Sequence, residues 1–116
     1  MVGKMKITSA EFRKMALRFP GVIESAHMNH PDFRVEGKIF ATLVYPDDGW
    51  GMVKLTPEQQ SSFMRKAPDM FKPCNGVWGQ RGATNVDLAS ARKKLLQAAL
   101  ETAHQNIASQ VKNKRG

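Results

Sequence analysis

The stretch from residue 30 to residue 43 constrains the fold most, because it has the pattern of two β-strands joined by a tight turn. In each arm the side chains alternate between two sets, and the first set contains Phe33, Val35, Ile39, Ala41 and Leu43. A period of two places each set on its own face of a sheet. Glu36-Gly37 stands between the arms and supplies the turn. The pattern therefore predicts an antiparallel hairpin whose first set faces a core.

Signals of helices and further strands lie on both sides of this hairpin. Thr8-Ser9-Ala10-Glu11 is a capping-box candidate that predicts a helix over 9–18, and Pro20 follows its end. Thr56, as an N-cap before Pro57, begins a second helix. The predicted meander has four strands, near 24–28, 33–35, 38–44 and 51–55, with a turn at Pro46-Asp47-Asp48-Gly49.

The last third of the chain consists of an irregular segment with short strands, followed by one long helix. Prolines and glycines interrupt residues 68–88, where only short strands at 76–78 and 85–88 are predicted. Apolar residues then recur every three or four positions, which predicts a long helix over about 90–109. We expect residues 112–116 to fray and the whole chain, 1–116, to form one domain. This order predicts an α+β fold in which the first and last helices cover one face of an antiparallel sheet.

The charge of the chain is positive and lies mainly near its two ends. Lys and Arg number 18 against 10 Asp and Glu, which gives a net charge of +8. Residues 25–91 are balanced, whereas residues 1–24 and 92–116 carry the excess. A positive field attracts polyanions such as nucleic acids, but lysines and arginines also simply solvate exposed helix faces. Charge alone leaves both interpretations open.

Cysteine content and hydropathy indicate a cytoplasmic protein. Cys74 is the only cysteine, so an intrachain disulfide is excluded, which suits a reducing compartment. No apolar run has the length of a signal-peptide core or a membrane span. We expect a soluble chain with no membrane partner, and a monomer is favoured.

Several segments of the sequence resemble the MmcQ/YjbR family. They are Phe19-Pro20-Gly21-Val22, the stretch from His30 to Ala41, Trp50 to Leu55, and Trp78 to Leu88. The resemblance implies a frataxin-like (CyaY-like) fold, described as a double wing, and it implies DNA binding. A tryptophan followed by a short strand is part of the family pattern, and Trp78 matches it.

Alternation along the strands predicts a basic and aromatic surface on the sheet face away from the helices, which we call the open face. If the first set points to the helices, the open face carries Arg34, Lys38, Phe40, Thr42, Trp50, Met52 and Lys54. Basic groups beside aromatic rings can hold phosphates and stack on bases. The alternative is that Phe40, Trp50 and Met52 pack under the second helix and the 68–82 loop, with the lysines at the rim.

A second candidate site lies in the glycine-rich segment 75–84. Gly76, Gly79 and Gly82 would let backbone N–H groups approach a ligand, while Trp78 offers a stacking ring and Arg81 a phosphate donor. The segment has neither the Gly-Lys-Ser/Thr of a P-loop nor a dinucleotide-binding fingerprint. The alternative role of Trp78 is to anchor the loop to the core.

No residue set indicates a metal centre, a cofactor or catalysis. His27 and His30 are three positions apart, which on one strand places them on opposite faces. Cys74 has no histidine near it in sequence that could activate it. The first helix is basic apart from Glu11, so the iron association of frataxins is not transferred. We expect a protein that is not an enzyme.

The sequence therefore predicts a DNA-binding protein with weak sequence preference, with duplex DNA as the partner. The candidate nucleic-acid-binding residues are Arg34, Lys38, Lys54, Trp78, Arg81, Arg92 and Lys93. The alternative is a small-molecule or protein-interaction module that uses a cleft between the sheet and the 68–82 loop. Salt dependence separates the two, because charge-driven DNA binding weakens steeply as salt rises.

Overall fold

A computed structural model describes residues 7–45 and 47–115, with side chains described as far as residue 111. Lys4, Lys6, Pro46 of the predicted turn and Gly116 lie outside the described residues. The elements, in chain order, are α1 (Ser9–Leu17), β1 (Val22–His27), β2 (His30–Val35), β3 (Lys38–Leu43), β4 (Trp50–Lys54), α2 (Pro57–Lys66), β5 (Phe71–Pro73), α3 (Gly76–Gln80), β6 (Ala83–Asp87) and α4 (Lys93–Arg115).

Side chains that were predicted to cap α1 and α2 do so. The hydroxyl of Thr8 accepts a hydrogen bond from the Glu11 N–H, and the Glu11 carboxylate accepts one from the Thr8 N–H. Thr56 and Gln59 repeat this reciprocal pair at the start of α2. Both caps satisfy backbone donors that the first helical turn leaves without partners, so the sequence determines where each helix begins.

The strands form one antiparallel sheet of six strands in the order β1-β2-β3-β4-β6-β5. The predicted four-stranded meander is confirmed, and β6 and β5 extend it beyond β4. Glu36 and Gly37 both have positive φ, 48° and 83°, as a two-residue hairpin turn with the twist of the strands requires. The fold is therefore α+β, as predicted.

One face of the sheet is covered by helices. Phe12 of α1, Phe63 of α2 and Leu96 of α4 belong to the same buried core. Leu43 of the first set is buried, as predicted, and so are Phe12, Leu55, Leu96 and Leu100. Gly51 is required in β4 because a Cβ there would lie 2.8 Å from the Phe12 ring. The predicted placement of the first and last helices on one face is confirmed.

The predicted alternation in β3 is wrong at Phe40. Phe33 pairs with Ala41 and Arg34 pairs with Ile39, so Phe40 is an extra residue in the pairing, as in a β-bulge. Phe40 is fully buried and contacts the rings of Phe19 and His104 on the helical side. Ile39 shares the open face with Arg34 instead. The bulge therefore places Lys38, Ile39 and Phe40 each on the sheet face opposite to the one predicted.

Element boundaries in the last third differ from those predicted. Residues 76–80 form the short helix α3, where a strand was predicted, and β6 spans Ala83–Asp87 instead of 85–88. The final helix was predicted over 90–109 but runs over Lys93–Arg115, and it includes residues predicted to fray. Within the described ranges, no helix is both long enough and apolar enough to span a bilayer.

Candidate nucleic-acid interface

A cleft opens where β4 ends and α2 begins. Its walls are Lys54, Leu55, Trp78, Arg81 and Ala83, which we call the basic cleft, and its volume is about 210 Å³. A second hollow of about 280 Å³ shares Lys54, Leu55 and Arg81 with it and extends to Asn106 and Gln110 of α4. Three of the predicted site residues, Lys54, Trp78 and Arg81, are thus brought together around one concave surface.

The backbone of Lys54 is held by α4. Its carbonyl oxygen accepts a hydrogen bond of 3.2 Å from the Asn106 side-chain amide. The same amide donates to the Gln59 side chain at 2.8 Å. Gln59 is also part of the cap of α2, so one network of amides joins β4, α2 and α4 beneath the cleft. Such a network restricts the position from which the lysine side chain extends.

The segment that carries Trp78 and Arg81 is fixed by Gln60 of α2. Its side-chain amide lies 3.1 Å from the Gly79 carbonyl oxygen and 3.0 Å from that of Ala83. Gly82 has a φ of 112°, and a Cβ there would lie 2.0 Å from the Leu55 carbonyl oxygen. A Cβ on Gly79 would lie 1.8 Å from the Cys74 carbonyl oxygen. Gly79 and Gly82 therefore let the segment pack against protein backbone, which differs from the predicted ligand approach.

Trp78 is packed against protein and is also partly exposed, so its geometry is compatible with both roles that the sequence left open. Its ring lies 6.5 Å from the Tyr45 ring, and the Lys54 ammonium lies 5.6 Å from its centroid. The side chain is nevertheless 49% exposed. Tyr45 also packs against a small cluster of Met52, Cys74 and Ala83 on the open face. Trp78 thus partly covers the open face and leaves about half of its own surface free for a ligand.

His27 and His30 lie side by side, which corrects the prediction that they occupy opposite faces. The two residues belong to different strands and pair with each other across the turn between β1 and β2. Their ring centroids are 6.1 Å apart, and the His30 ring meets Tyr45 at 5.4 Å. The predicted absence of a metal centre remains a prediction, although no group of three potential metal ligands occurs among the described residues.

Arg34 is held by a buried carboxylate on the same face. Its guanidinium donates to both oxygens of Asp32, at 2.7 and 3.0 Å, and His27 Nδ1 lies 2.7 Å from Asp32. The Asp32 side chain is fully buried. Hydrogen bonds from Arg34, and less so from His27, lower the pKa of Asp32. We call these three residues the carboxylate cluster, in which the charge of Arg34 is already compensated.

The other predicted contacts lie apart from the basic cleft. Lys38 pairs with Val35, whose side chain is in the core, so Lys38 lies on the helical side of the sheet and not on the open face. Arg92 forms an exposed salt bridge of 3.6 Å with Asp69. Lys93 lines a hollow between α1 and α4 with Arg18. Both Arg92 and Lys93 are at the start of α4, whereas the basic cleft meets α4 near Asn106.

Sequence reasoning missed the amides and the carboxylate that hold these groups. Gln59 follows Thr56 by three positions, which is the spacing of a capping box, but this spacing does not indicate the contact with Asn106. Gln60 and Asp32 carry no local signal, because their partners lie on other elements. Cys74 is buried, and burial raises the pKa of its thiol to about 11, which makes the thiolate scarce at neutral pH.

Comparison with known proteins places this architecture in a family. A crystal structure of a Deinococcus radiodurans protein with the family domain DUF419 is similar, with a TM-score of 0.70 and 18% identity over 86% of this chain and 77% of that chain. At this identity the likeness concerns the fold alone. No match was found among curated proteins. The YjbR family matches residues 17–106, which include every strand of the sheet. The chain therefore belongs to the YjbR family, as its resemblance to MmcQ/YjbR sequences implied.

Proposed function

We propose that this protein binds DNA with weak sequence preference, through the basic cleft, and that it catalyses no reaction. The observation that carries the proposal is that Lys54 and Arg81 line one cleft beside a half-exposed tryptophan. A phosphate bound there would meet two cations, and an adjoining base or sugar would meet the indole. Contacts to phosphate carry no sequence information, which accounts for the weak preference.

The electrostatic environment of the cleft supports an anionic ligand. None of the described residues that line the basic cleft or the adjoining hollow is acidic. In the part of the chain that the structure describes, neither Lys54 nor Arg81 forms a salt bridge, whereas Arg34 does. An uncompensated cation gains more from a phosphate than one that must first give up a buried carboxylate. The charge of the cleft is therefore available for binding.

The surroundings add positive charge of longer range. Gln110 lines the hollow next to the cleft, and the backbone of α4 continues from there to Arg115 through a basic stretch of sequence. The net charge of +8 accelerates encounter with a polyanion even where no direct contact forms. Arg92 and Lys93 are assigned to this steering role.

Fluorescence anisotropy over a salt series tests the proposal with a matched pair of variants. Lys54→Ala removes a cation from the cleft, and Lys38→Ala removes the same charge from the neighbouring strand on the other side of the sheet. The slope of log affinity against log salt is negative. For duplex DNA, we expect Lys54→Ala to make it less steep by about 0.9 and Lys38→Ala to leave it unchanged. Equal slopes for all three proteins would contradict the role of the cleft.

A second candidate function follows from the shape of the same cleft. Leu55 is 5% exposed and Ala83 7%, so the cleft has an apolar floor beneath its cations, as sites for small anionic molecules often have. If the wild-type protein fails to bind any DNA at low salt, the small-molecule alternative replaces the DNA proposal. A thermal shift with inorganic phosphate or a mononucleotide, lost in Lys54→Ala, would then support it.

A further inference from the structure

The exposed part of the Trp78 side chain indicates which form of DNA, single-stranded or duplex, the basic cleft would bind. In a duplex the bases stack on one another and show only their edges in the grooves, so a side-chain ring cannot stack on them without unstacking a pair. An unpaired base offers its whole face. We propose that Trp78 stacks on an unpaired base while Lys54 and Arg81 contact the adjoining phosphates, so that single-stranded DNA is preferred. This inference rests on the proposed function.

The contact between Lys54 and Trp78 is compatible with such an exchange. The Lys54 ammonium lies 5.6 Å from the ring centroid and both groups reach solvent. A cation–π contact at an exposed site is weaker than stacking of a base on an aromatic ring. A base that arrives on the ring therefore displaces the ammonium, and the ammonium becomes free to contact the phosphate of the same nucleotide.

The basic cleft is small and continues into the adjoining hollow. The basic cleft holds about 210 Å³, which is below the roughly 300–1,000 Å³ typical of pockets for drug-sized ligands. The adjoining hollow of about 280 Å³ shares Lys54, Leu55 and Arg81 and gives the strand a way out toward α4. On the other side, the Tyr45 ring lies 6.5 Å from Trp78 and is tilted by 31°, so this flank of the indole packs against the protein. A nucleotide stacked on Trp78 would therefore continue along the hollow and not toward Tyr45.

The experiment compares a labelled oligo-dT strand with a duplex of the same length at equal salt, for the wild type and for Trp78→Ala and Trp78→Phe. We expect the wild type to prefer the single strand. Trp78→Ala should weaken single-strand binding by about 5- to 150-fold, the range for losing one stacked base, and Trp78→Phe should restore part of it. Duplex affinity should change less than twofold. Since Trp78 is half exposed, circular dichroism should show that all variants fold.

Tryptophan fluorescence provides a second readout. In a Trp50→Phe background, Trp78 is the remaining tryptophan of the chain, and its emission should be quenched by oligo-dT but not by the duplex. If the single strand and the duplex bind equally and Trp78→Ala changes neither, the single-strand inference is overturned while the proposed function stands. If neither DNA binds at low salt, the proposed function itself fails.

Discussion

The basic cleft and the carboxylate cluster lie on the same face of the sheet, yet they use their positive charges in opposite ways. In the carboxylate cluster, Arg34 is tied by two hydrogen bonds to a carboxylate that water does not reach. In the basic cleft, Lys54 and Arg81 meet an indole, apolar side chains and solvent. A compensated charge stabilises the fold, and an uncompensated one remains available to a ligand. The number of cations on a face therefore says little about binding until their partners are known.

The largest expected effect comes from disturbing the backbone packing that shapes the basic cleft. Gly82→Ala would place a Cβ 2.0 Å from the Leu55 carbonyl oxygen at a φ of 112°. We expect a loss of about 3 kcal/mol in the free energy of unfolding, measured with urea, because a backbone segment must move. DNA affinity should fall together with stability, since the same segment carries Arg81.

Gly76→Ala is the matched control for this change. Gly76 also has a positive φ, 72°, but in the described part of the chain no heavy atom beyond its chain neighbours and its own helix would lie within 4 Å of the added Cβ. We expect it to cost only about 1 kcal/mol, from backbone strain alone. Equal losses for the two variants would show that close packing at Gly82 does not shape the cleft.

The next largest effect should come from the carboxylate cluster. Asp32→Asn keeps the shape of the side chain but removes the charge that Arg34 and His27 share. We expect a loss of about 2 kcal/mol, less than for a fully buried ion pair, because Arg34 and His27 partly reach solvent and can be rehydrated. Asp48→Asn, in an exposed turn, should cost little. The salt dependence of DNA binding should not change in Asp48→Asn.

The pH dependence of this loss gives an independent check. Arg34, as the largest cause, holds the pKa of Asp32 below its ordinary value in the folded protein. The stabilisation by Asp32 is thus complete above the unfolded pKa, about 3.9, and is lost as pH falls through the lower folded value. The difference in stability between wild type and Asp32→Asn should therefore be constant near neutral pH and shrink below about pH 4. A difference that stays constant down to pH 2 would contradict the role of the ionised carboxylate.

The same regions also show which features of the fold can be predicted from the sequence and which cannot. Local signals determined the helix starts at Thr8 and Thr56 and the hairpin at Glu36-Gly37, because their partners lie within a few residues. The bulge at Phe40 could not be predicted, since it depends on which residue of β2 each residue of β3 faces. That single irregularity separates Lys38 from the face of Arg34 and accounts for the error in the predicted placement of Lys38.

The residues of the basic cleft could be predicted from the sequence, but their convergence could not. Lys54, Trp78 and Arg81 were each singled out as candidate residues, and a cleft beside the 68–82 loop was the alternative site. Their convergence depends on the pairing of β4 with β6, which joins residues distant in sequence. The amide of Asn106, which holds the backbone of Lys54, is farther still along the chain. Long-range pairing, and not residue type, decides which candidates meet.

A comparison of two arginines sharpens the distinction between the regions. Arg81→Ala should reduce the salt slope for duplex DNA by about 0.9 and leave stability nearly unchanged, since Arg81 is exposed and its cleft has no acidic partner among the described residues. Arg34→Ala should leave the salt slope unchanged and reduce stability, because it leaves Asp32 buried with His27 as its one remaining side-chain partner among the described residues. Anisotropy measures the salt slope and urea unfolding measures the stability of both variants, so together they test whether each arginine affects only one of the two quantities. Parallel effects in the two variants would show that the two regions act as one.

The smallest effect should come from the start of α4, which carries the candidate nucleic-acid-binding residues Arg92 and Lys93. Lys93 and Asn106 are far apart along one helix, roughly 20 Å at 1.5 Å per residue. This distance exceeds the Debye length of about 8 Å at physiological ionic strength, so Lys93→Ala should change affinity there by less than about twofold. At 0.01 M salt the Debye length grows to about 30 Å, and the association rate, measured by stopped flow, should then fall. A loss of affinity at physiological salt as large as that of Lys54→Ala would instead mean that DNA contacts this end of α4 directly.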